Sequence, residues 1–303
     1  MDKVWTQRES LAVARSHPAV AVHQNRIYVF GGGGPAFKSL DSSMVYDPGA
    51  GRWRTISDMP SKRSGTVAVC RDDRIYVLGG GFKQANGQFR FLTTVEVYHP
   101  DTDSWETGPD LLQPHDYPAV ALLNNRIYVM GGHHPEAYKA GPKTDPGFDF
   151  CERLNLDTGQ WEAIPPLPTP RFALAAAVLD GRILTFGGVA FSKAGFNNYD
   201  FVETYDPQTG LWSTDESLKL PWPAAGLGAC MRRGEVIILG GYSGEGIHSR
   251  CARFHQGHWQ RLPDMPSPRA AMGVATVEQG IFIMGGWADD GRTPVNDVHS
   301  LNG

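Results

Sequence analysis

Short apolar runs punctuate the chain from end to end, and they come in two kinds. RIYVF, RIYVL, RIYVM, RILTF, EVIIL and GIFIM are nearly continuous in apolar residues. Each runs directly into a glycine pair, beginning at Gly31, Gly79, Gly131, Gly187, Gly240 and Gly285. Segments such as PAVAV, VEVY and RWRTI mix small, β-branched and aromatic residues with polar ones. Runs rich in Val, Ile, Tyr and Trp between Asp-Pro, Asn-Asn and Gly-Gly breaks predict strands.

The runs recur about fifty residues apart, a spacing that points to a repeat architecture. A second series, Trp53, Trp105, Trp161, Trp212 and Trp259, keeps the same period. Tyr46, Tyr98 and Tyr205 each stand seven residues before their tryptophan, and Leu154 takes that place in the third unit. Phe254 stands closer to Trp259, which predicts a shorter turn there. Each unit therefore reads as four strands: a small apolar one, the RIYV strand, the VEVY strand and the strand that carries the tryptophan. One such sheet cannot cover both of its apolar faces. Six sheets stacked around an axis can, and that is a propeller. The sixth unit stops after its third strand at DVHSLNG, whereas Trp5 stands in period with no strands before it. Residues near 2–11 are expected to supply the missing outer strand and close the ring, removing the exposed edges of an open stack.

Composition agrees. The 303 residues include 36 glycines and 22 prolines, an excess that favours turns over long helices. Hydrophobic residues make up 41% and charged residues 20%, enough for a core and too apolar for disorder. The net charge of −4 gives no support to a nucleic-acid partner. No apolar run approaches the ~18–20 residues of a membrane span, and no signal-peptide core is visible. Cys70, Cys151, Cys230 and Cys251 lie far apart with no CxxC spacing, so they read as free thiols of a cytoplasmic protein.

The recurring pattern RIYVxGG … VxxYDPxTxxW … MPxxR resembles the kelch family, and six copies cover nearly the whole chain. The resemblance implies an all-β, six-bladed propeller of four-stranded antiparallel blades. Residues 1–303 are then one propeller, with blades near 16–62, 63–114, 115–170, 171–222, 223–268, and 269–303 plus 1–12. It also implies a ligand site at one mouth of the central channel. By that analogy the rim positions are Gly33, Gly81, His133, Val189, Tyr242 and Trp287 after the glycine pairs. Two further sets precede the pairs. One is His17, Gly65, Tyr117, Ala173, Gly226 and Ala271; the other is Ser16, Ser64, Asp116, Phe172, Ala225 and Ala270. Arg15, Arg63, Arg171 and Arg269 recur one position earlier, with His115 and Ala224 in the remaining units, and read as inter-blade structure.

The loops between the second and third strands are longest in blades 2, 3 and 4. They carry Phe82, Phe89, Tyr138, Phe148, Phe191, Phe196 and Tyr199. These aromatics either anchor the loops or wall a small-molecule pocket. No GxxxxGK[ST], HExxH or GxSxG motif occurs, and FGGGGPAF reads as a glycine pair plus a turn. A metal reading is possible if His115, Asp116, His133 and His134 converge, a geometry the sequence does not establish; no metal and no cofactor are expected.

Two functions remain open. One is a small organic ligand at the mouth, with acid–base chemistry of isomerase, lyase or cyclase type by resemblance to a kelch mutarotase. His133 and Tyr117, opposed by His17 or Tyr242, are its candidate catalytic residues. Ser16, Ser64, Asp116, His134, Phe172, Phe191, Tyr242 and Trp287 are its candidate binding residues. The alternative is a non-catalytic adaptor that takes a peptide segment of a partner protein at the same mouth. Either reading expects a monomer with no nucleic-acid or membrane partner.

Overall fold

The computed structural model describes residues 4–137, 144–288, 291 and 293–302. The RIYV-type segments form the second strands, Arg26–Phe30, Arg74–Leu78, Arg126–Met130, Arg182–Phe186, Glu235–Leu239 and Gly280–Met284. Their last four residues are buried throughout, which is why they read as continuous apolar runs: both faces of the strand are covered. Each pairs antiparallel with the first and third strands of its unit, giving six four-stranded blades. The first strands, such as Ala19–His23 and Ala119–Leu123, pack against one another around the axis. The outer strands, such as Arg52–Ile56, are largely exposed. No described helix is long and apolar enough to cross a membrane.

The core is divided among six apolar layers, one between each pair of neighbouring blades. The tryptophan series belongs to these layers. Trp53 lies opposite Tyr46, Trp105 opposite Tyr98, Trp161 opposite Leu154, Trp212 opposite Tyr205 and Trp259 opposite Phe254. Each indole N–H then reaches to the preceding blade: Trp105 donates to Ser57 O at 3.0 Å, Trp161 to Pro109 O at 2.9 Å and Trp212 to Pro165 O at 2.9 Å.

The glycine pairs join the blades at the hub. The second glycine's N–H donates to the arginine-position carbonyl of the next blade, as in Gly32 to Arg63 at 2.9 Å and Gly132 to Arg171 at 3.0 Å. The first glycine has positive φ, and a Cβ on Gly31 would stand 2.7 Å from the Arg63 carbonyl oxygen. Positive φ and close approach of the neighbouring backbone therefore both demand glycine.

The buried arginines complete the joint. Arg15 donates to the carbonyls of Gly31 at 2.9 Å and Ser42 at 3.0 Å, and Arg63 does the same to Gly79 and Thr94, each at 3.0 Å. Arg63 also pairs with Glu96 at 2.8 Å, and Arg171 with Glu203. Burial pulls the Arg15 guanidinium down to about 10, against the opposing pull of Asp58. His115 fills the same role in blade 3, donating from Nδ1 to Gly131 O at 2.6 Å and pairing with Glu152 at 3.1 Å. In blade 5, where Ala224 replaces the arginine, the Trp222 indole donates to Gly240 O at 3.1 Å instead.

The ring closes as the tryptophan period requires. Trp5–Arg8 pairs antiparallel with Val298–Leu301 as the outer strand of blade 6, with Trp5 opposite Leu301. Trp5 Nε1 donates to Pro263 O at 3.1 Å, Gly286 N–H to Arg15 O at 2.8 Å, and Leu11 and Asn296 exchange two hydrogen bonds.

Candidate functional site

The loops entering the first strands form a belt around the axis. His17, Gly65, Tyr117, Ala173, Gly226 and Ala271 all adopt left-handed backbone, with φ between 49° and 65°. Five backbone hydrogen bonds run from one to the next: Tyr117 to Gly65, Ala173 to Tyr117, Gly226 to Ala173, Ala271 to Gly226 and His17 to Ala271. The belt holds four non-glycine residues in a conformation they rarely adopt. In five of the six units the residue after the glycine pair bridges antiparallel to the position just before the belt, as in Phe172 with Val189 and Ala270 with Trp287, and in blade 3 the His133 N–H donates to Asp116 O at 2.7 Å.

The belt is uneven. The His17 ring stands edge-on to Tyr117 at 4.1 Å and to Trp287 at 4.4 Å. Ala173, Gly226 and Ala271 leave space on the opposite side. Above lies a cavity of about 850 Å³. His17, Asp116, Tyr117, His133, Phe172 and Ala173 line its lower part together with Trp287 and Tyr242. Phe37, Phe89, Phe191, Phe196 and Ile247 complete its apolar wall.

The long loops build that wall. Blade 2 adds the hairpin Gly81–Lys83/Phe89–Phe91, blade 4 adds Val189–Ser192/Gly195–Asn198, and blade 5 adds the short Tyr242–Ser243/Gly246–Ile247. Asp145 in the blade 3 loop exchanges backbone hydrogen bonds with Phe191, tying that loop to the blade 4 hairpin. Of the aromatics singled out in these loops, Phe89, Phe191 and Phe196 line the cavity. Phe148 packs on Phe150 and His115, and Tyr199 on Phe201, as anchors. Tyr138 lies outside the described residues.

His133 Nδ1 donates to the Asp145 carboxylate, and its ring stacks on Phe172 at 3.9 Å and meets Tyr117 edge-on at 5.2 Å. The other oxygen of Asp145 accepts the N–H groups of His134 at 3.1 Å and Gly147 at 3.0 Å. Burial works to raise the Asp145 carboxyl. The bond from His133, its charge and the two N–H groups outweigh it and hold Asp145 below the usual range. Asp116 behaves oppositely. Burial, with the charge of Asp145 adding to it, drives its carboxyl well above the usual range, and its Oδ1 has no hydrogen-bond partner among the described residues. Burial, then the charge of His133, pulls His17 well below its usual value, and its Nδ1 also lacks such a partner. One cavity thus holds a carboxyl group kept below its usual range and bonded to an imidazole, a second carboxyl pushed well above it, and an imidazole pulled well below its usual value. Sites that separate the protonation states of like groups are equipped for proton transfer.

Ser16, Ser64 and His134 are not among the lining residues. Ser16 Oγ donates to Gly33 O at 3.3 Å, Ser64 Oγ to Gly81 O at 3.5 Å, and His134 packs on Phe148 while its Nδ1 accepts the N–H of Glu136 at 3.2 Å. His115 is committed to the blade 3 joint and does not reach the cavity. Among the described residues no cluster of three or more His, Cys, Asp or Glu is placed to hold a metal. Asp145 was not visible from sequence. It sits in a long loop with no counterpart in the other units, and only its Asp-Pro-Gly turn hinted at a fixed conformation.

A family model described as the Attractin/LZTR1 β-propeller matches residues 3–250. Among curated proteins, Kelch-like protein 36 of Rattus norvegicus is 29% identical over 280 residues, which cover 88% of this chain and 43% of that protein. Beta-scruin of Limulus polyphemus is 28% identical over 247 residues, covering 79% and 26%. Kelch-like protein terF of Aspergillus terreus is 27% identical over 218 residues, covering 67% and 47%. The chain therefore spans less than half the length of each of these relatives. The solved structure of YjhT superposes with a TM-score of 0.82 over 98% of this chain and 99% of that one, at 18% identity, which is a likeness of fold.

Proposed function

The chain belongs to the kelch-repeat Attractin/LZTR1 β-propeller family, and from that premise we propose that it binds a small organic molecule at the propeller mouth and moves protons on it without a cofactor. The observation that carries this reading is the His133–Asp145 pair sharing one cavity with the buried acid Asp116. The cavity volume falls in the ~300–1,000 Å³ range of small-molecule sites, and its walls are mostly apolar, with eight Phe, Tyr and Trp rings among them. In this reading Asp145 accepts from His133 Nδ1 and orients its imidazole, whose Nε2 takes a proton from an acidic carbon of the ligand, and the Asp145 carboxylate then faces the imidazolium that forms. Asp116 gives its proton to the neighbouring carbonyl oxygen, forming an enol. His133 then gives its proton to a carbon of the enol at another face or position while the Asp116 carboxylate recovers one from an enol oxygen, which completes an isomerisation in which no atoms or electrons are gained or lost. Tyr117 and His17 position the ligand from below. The four free thiols fit a reducing compartment, and we place the protein in the cytoplasm.

The test is deuterium exchange. Carbon acids with a carbonyl neighbour are incubated with the protein in D2O, and loss of the C–H signal is followed by NMR. The parent is expected to catalyse exchange, with His133→Ala and Asp145→Asn losing it at unchanged melting temperature. Exchange at the parent rate in His133→Ala would refute the catalytic role.

One observation favours a second reading. Phe37 and Phe196 are 54% and 63% exposed at the rim. Exposed aromatics beside a cavity suit a peptide anchor, and a peptide segment of a partner protein would use them. Under that reading Phe37→Ala/Phe196→Ala abolishes partner capture, whereas His133→Ala leaves it intact.

A further inference from the structure

The proposed function leaves the chemistry of the ligand open, and the cavity floor narrows it. Two side chains there are poorly satisfied by the protein. Asp116 is 3% exposed and lines the cavity, yet its buried Oδ1 has no hydrogen-bond partner among the described residues. His17 also lines the cavity, wedged between the rings of Tyr117 and Trp287, and its buried Nδ1 is likewise without such a partner. Orphaned polar groups are rare in native interiors and call for a cause. Their position is built: Gly65 has φ +65°, and a Cβ there would collide with Asp116 Oδ1 and stand 2.9 Å from the Tyr117 ring. The bare backbone of Gly65 lets Asp116 and Tyr117 stand where they do, and side chains that line an aromatic cavity while leaving a polar atom without a protein partner mark where a ligand's polar end sits.

The character of that end follows from what it meets. A neutral carboxylic acid offers an O–H donor, and a neutral imidazole offers one acceptor and one N–H. Beside them, the His133 imidazole and the Asp145 carboxylate are already bonded to each other. A ligand carboxylate pushed to this floor would lie against two carboxyl groups, and a buried charge without a partner is costly. An ammonium would lie against the His133 imidazole and would need Asp116 to ionise in an environment that opposes it.

We propose that the ligand is an uncharged hydroxy-carbonyl compound on an aromatic or alicyclic body, with its hydroxyl and carbonyl seated on His17 and Asp116 and its ring among Trp287, Tyr117 and Phe172. The inference rests on the small-molecule reading above and specifies its substrate class. It also suits that chemistry, because the hydrogen on the hydroxyl-bearing carbon of a hydroxy-ketone is acidic and the adjacent carbonyl is the oxygen to be protonated.

The test is a charge series on one ring, titrated into the intact chain by calorimetry: 2-hydroxy-1-phenylethanone (neutral), mandelate (anionic) and 2-amino-1-phenylethanol (cationic). The neutral compound is expected to bind most tightly. His17→Phe and Asp116→Leu should each weaken it by about tenfold, the loss of one net hydrogen bond, and Asp116→Asn, which keeps a donor, should retain most of the affinity. Tighter binding of mandelate or of the amine overturns the proposed ligand class and leaves the small-molecule site standing. Binding of none of the three at millimolar concentration overturns both. The series needs no variant, so a mutant that fails to fold does not blunt it.

Discussion

Removing residues 1–12 tests ring closure, the feature on which the cavity depends. The deletion takes away Trp5–Arg8 and leaves Val298–Leu301 as a bare edge. It removes the Trp5 indole bond to Pro263, the Arg8 bond to Ser300 at 2.9 Å, and Leu11, which is 1% exposed and packs in the layer between blades 6 and 1. Burial of Leu11 alone stabilises by roughly 1.5–3 kcal/mol. The indole bond adds about 1 kcal/mol, and the four-residue ladder several more bonds of similar net size. A loss of about 5 kcal/mol is a large share of the ~5–15 kcal/mol that holds most domains folded. At roughly 2–4 °C per kcal/mol, melting should fall by at least about 10 °C. Thermal unfolding followed by near-ultraviolet circular dichroism reads the effect, and Leu11→Ala should reproduce part of it at roughly 2–5 kcal/mol. If the truncated chain melts within a degree or two of the intact one, blade 6 does not need its outer strand and the closure argument fails.

Three further outcomes follow from particular contacts. Trp222→Phe keeps the ring but strands the Gly240 carbonyl, so urea unfolding should show a loss of about 1–3 kcal/mol; an unchanged midpoint would mean the indole bond contributes nothing. Asp116→Asn should stabilise at neutral pH and have little effect in strong acid. Its folded carboxyl titrates above the unfolded one, so the folded state holds the extra proton and stability falls as pH rises from the usual carboxylate range towards the raised value. Denaturant midpoints across pH check this, and a parent whose stability difference from the variant is flat with pH would contradict it. Gly65→Ala should abolish ligand binding, because the added methyl occupies the space beside Asp116 and Tyr117; calorimetry showing parent affinity would place the ligand elsewhere.

The frame was readable because it is written six times. Leu154 could be assigned to the tyrosine position by counting alone and Phe254 by allowing a shorter turn, and each lies opposite its tryptophan. The same counting put Trp5 in period and thereby closed the ring. The substitute for the missing arginine in blade 5 was not readable, because Trp222 reaches Gly240 O from a different position in the chain. The site is less legible for a related reason: catalytic and binding groups break the repeat. His133 and Tyr117 stood out as departures at rim positions. Asp145 lies in a loop that no other unit resembles, and its pairing with His133 depends on the fold of that loop over Phe191. The rim pattern also put Ser16 and Ser64 on the same footing as Phe172, and only the direction of the side chains separates them.

The most direct test of the mouth as a small-molecule site uses the protein's ten histidines as reporters. With 15N-labelled imidazoles, titration of 2-hydroxy-1-phenylethanone should shift the His17 and His133 ring signals in a saturable way. Histidines on the two outermost strands of blade 5, His255 and His258, should stay still. Saturable shifts confined to the outer histidines, or no shift at His17 and His133 while the compound binds, would contradict the account.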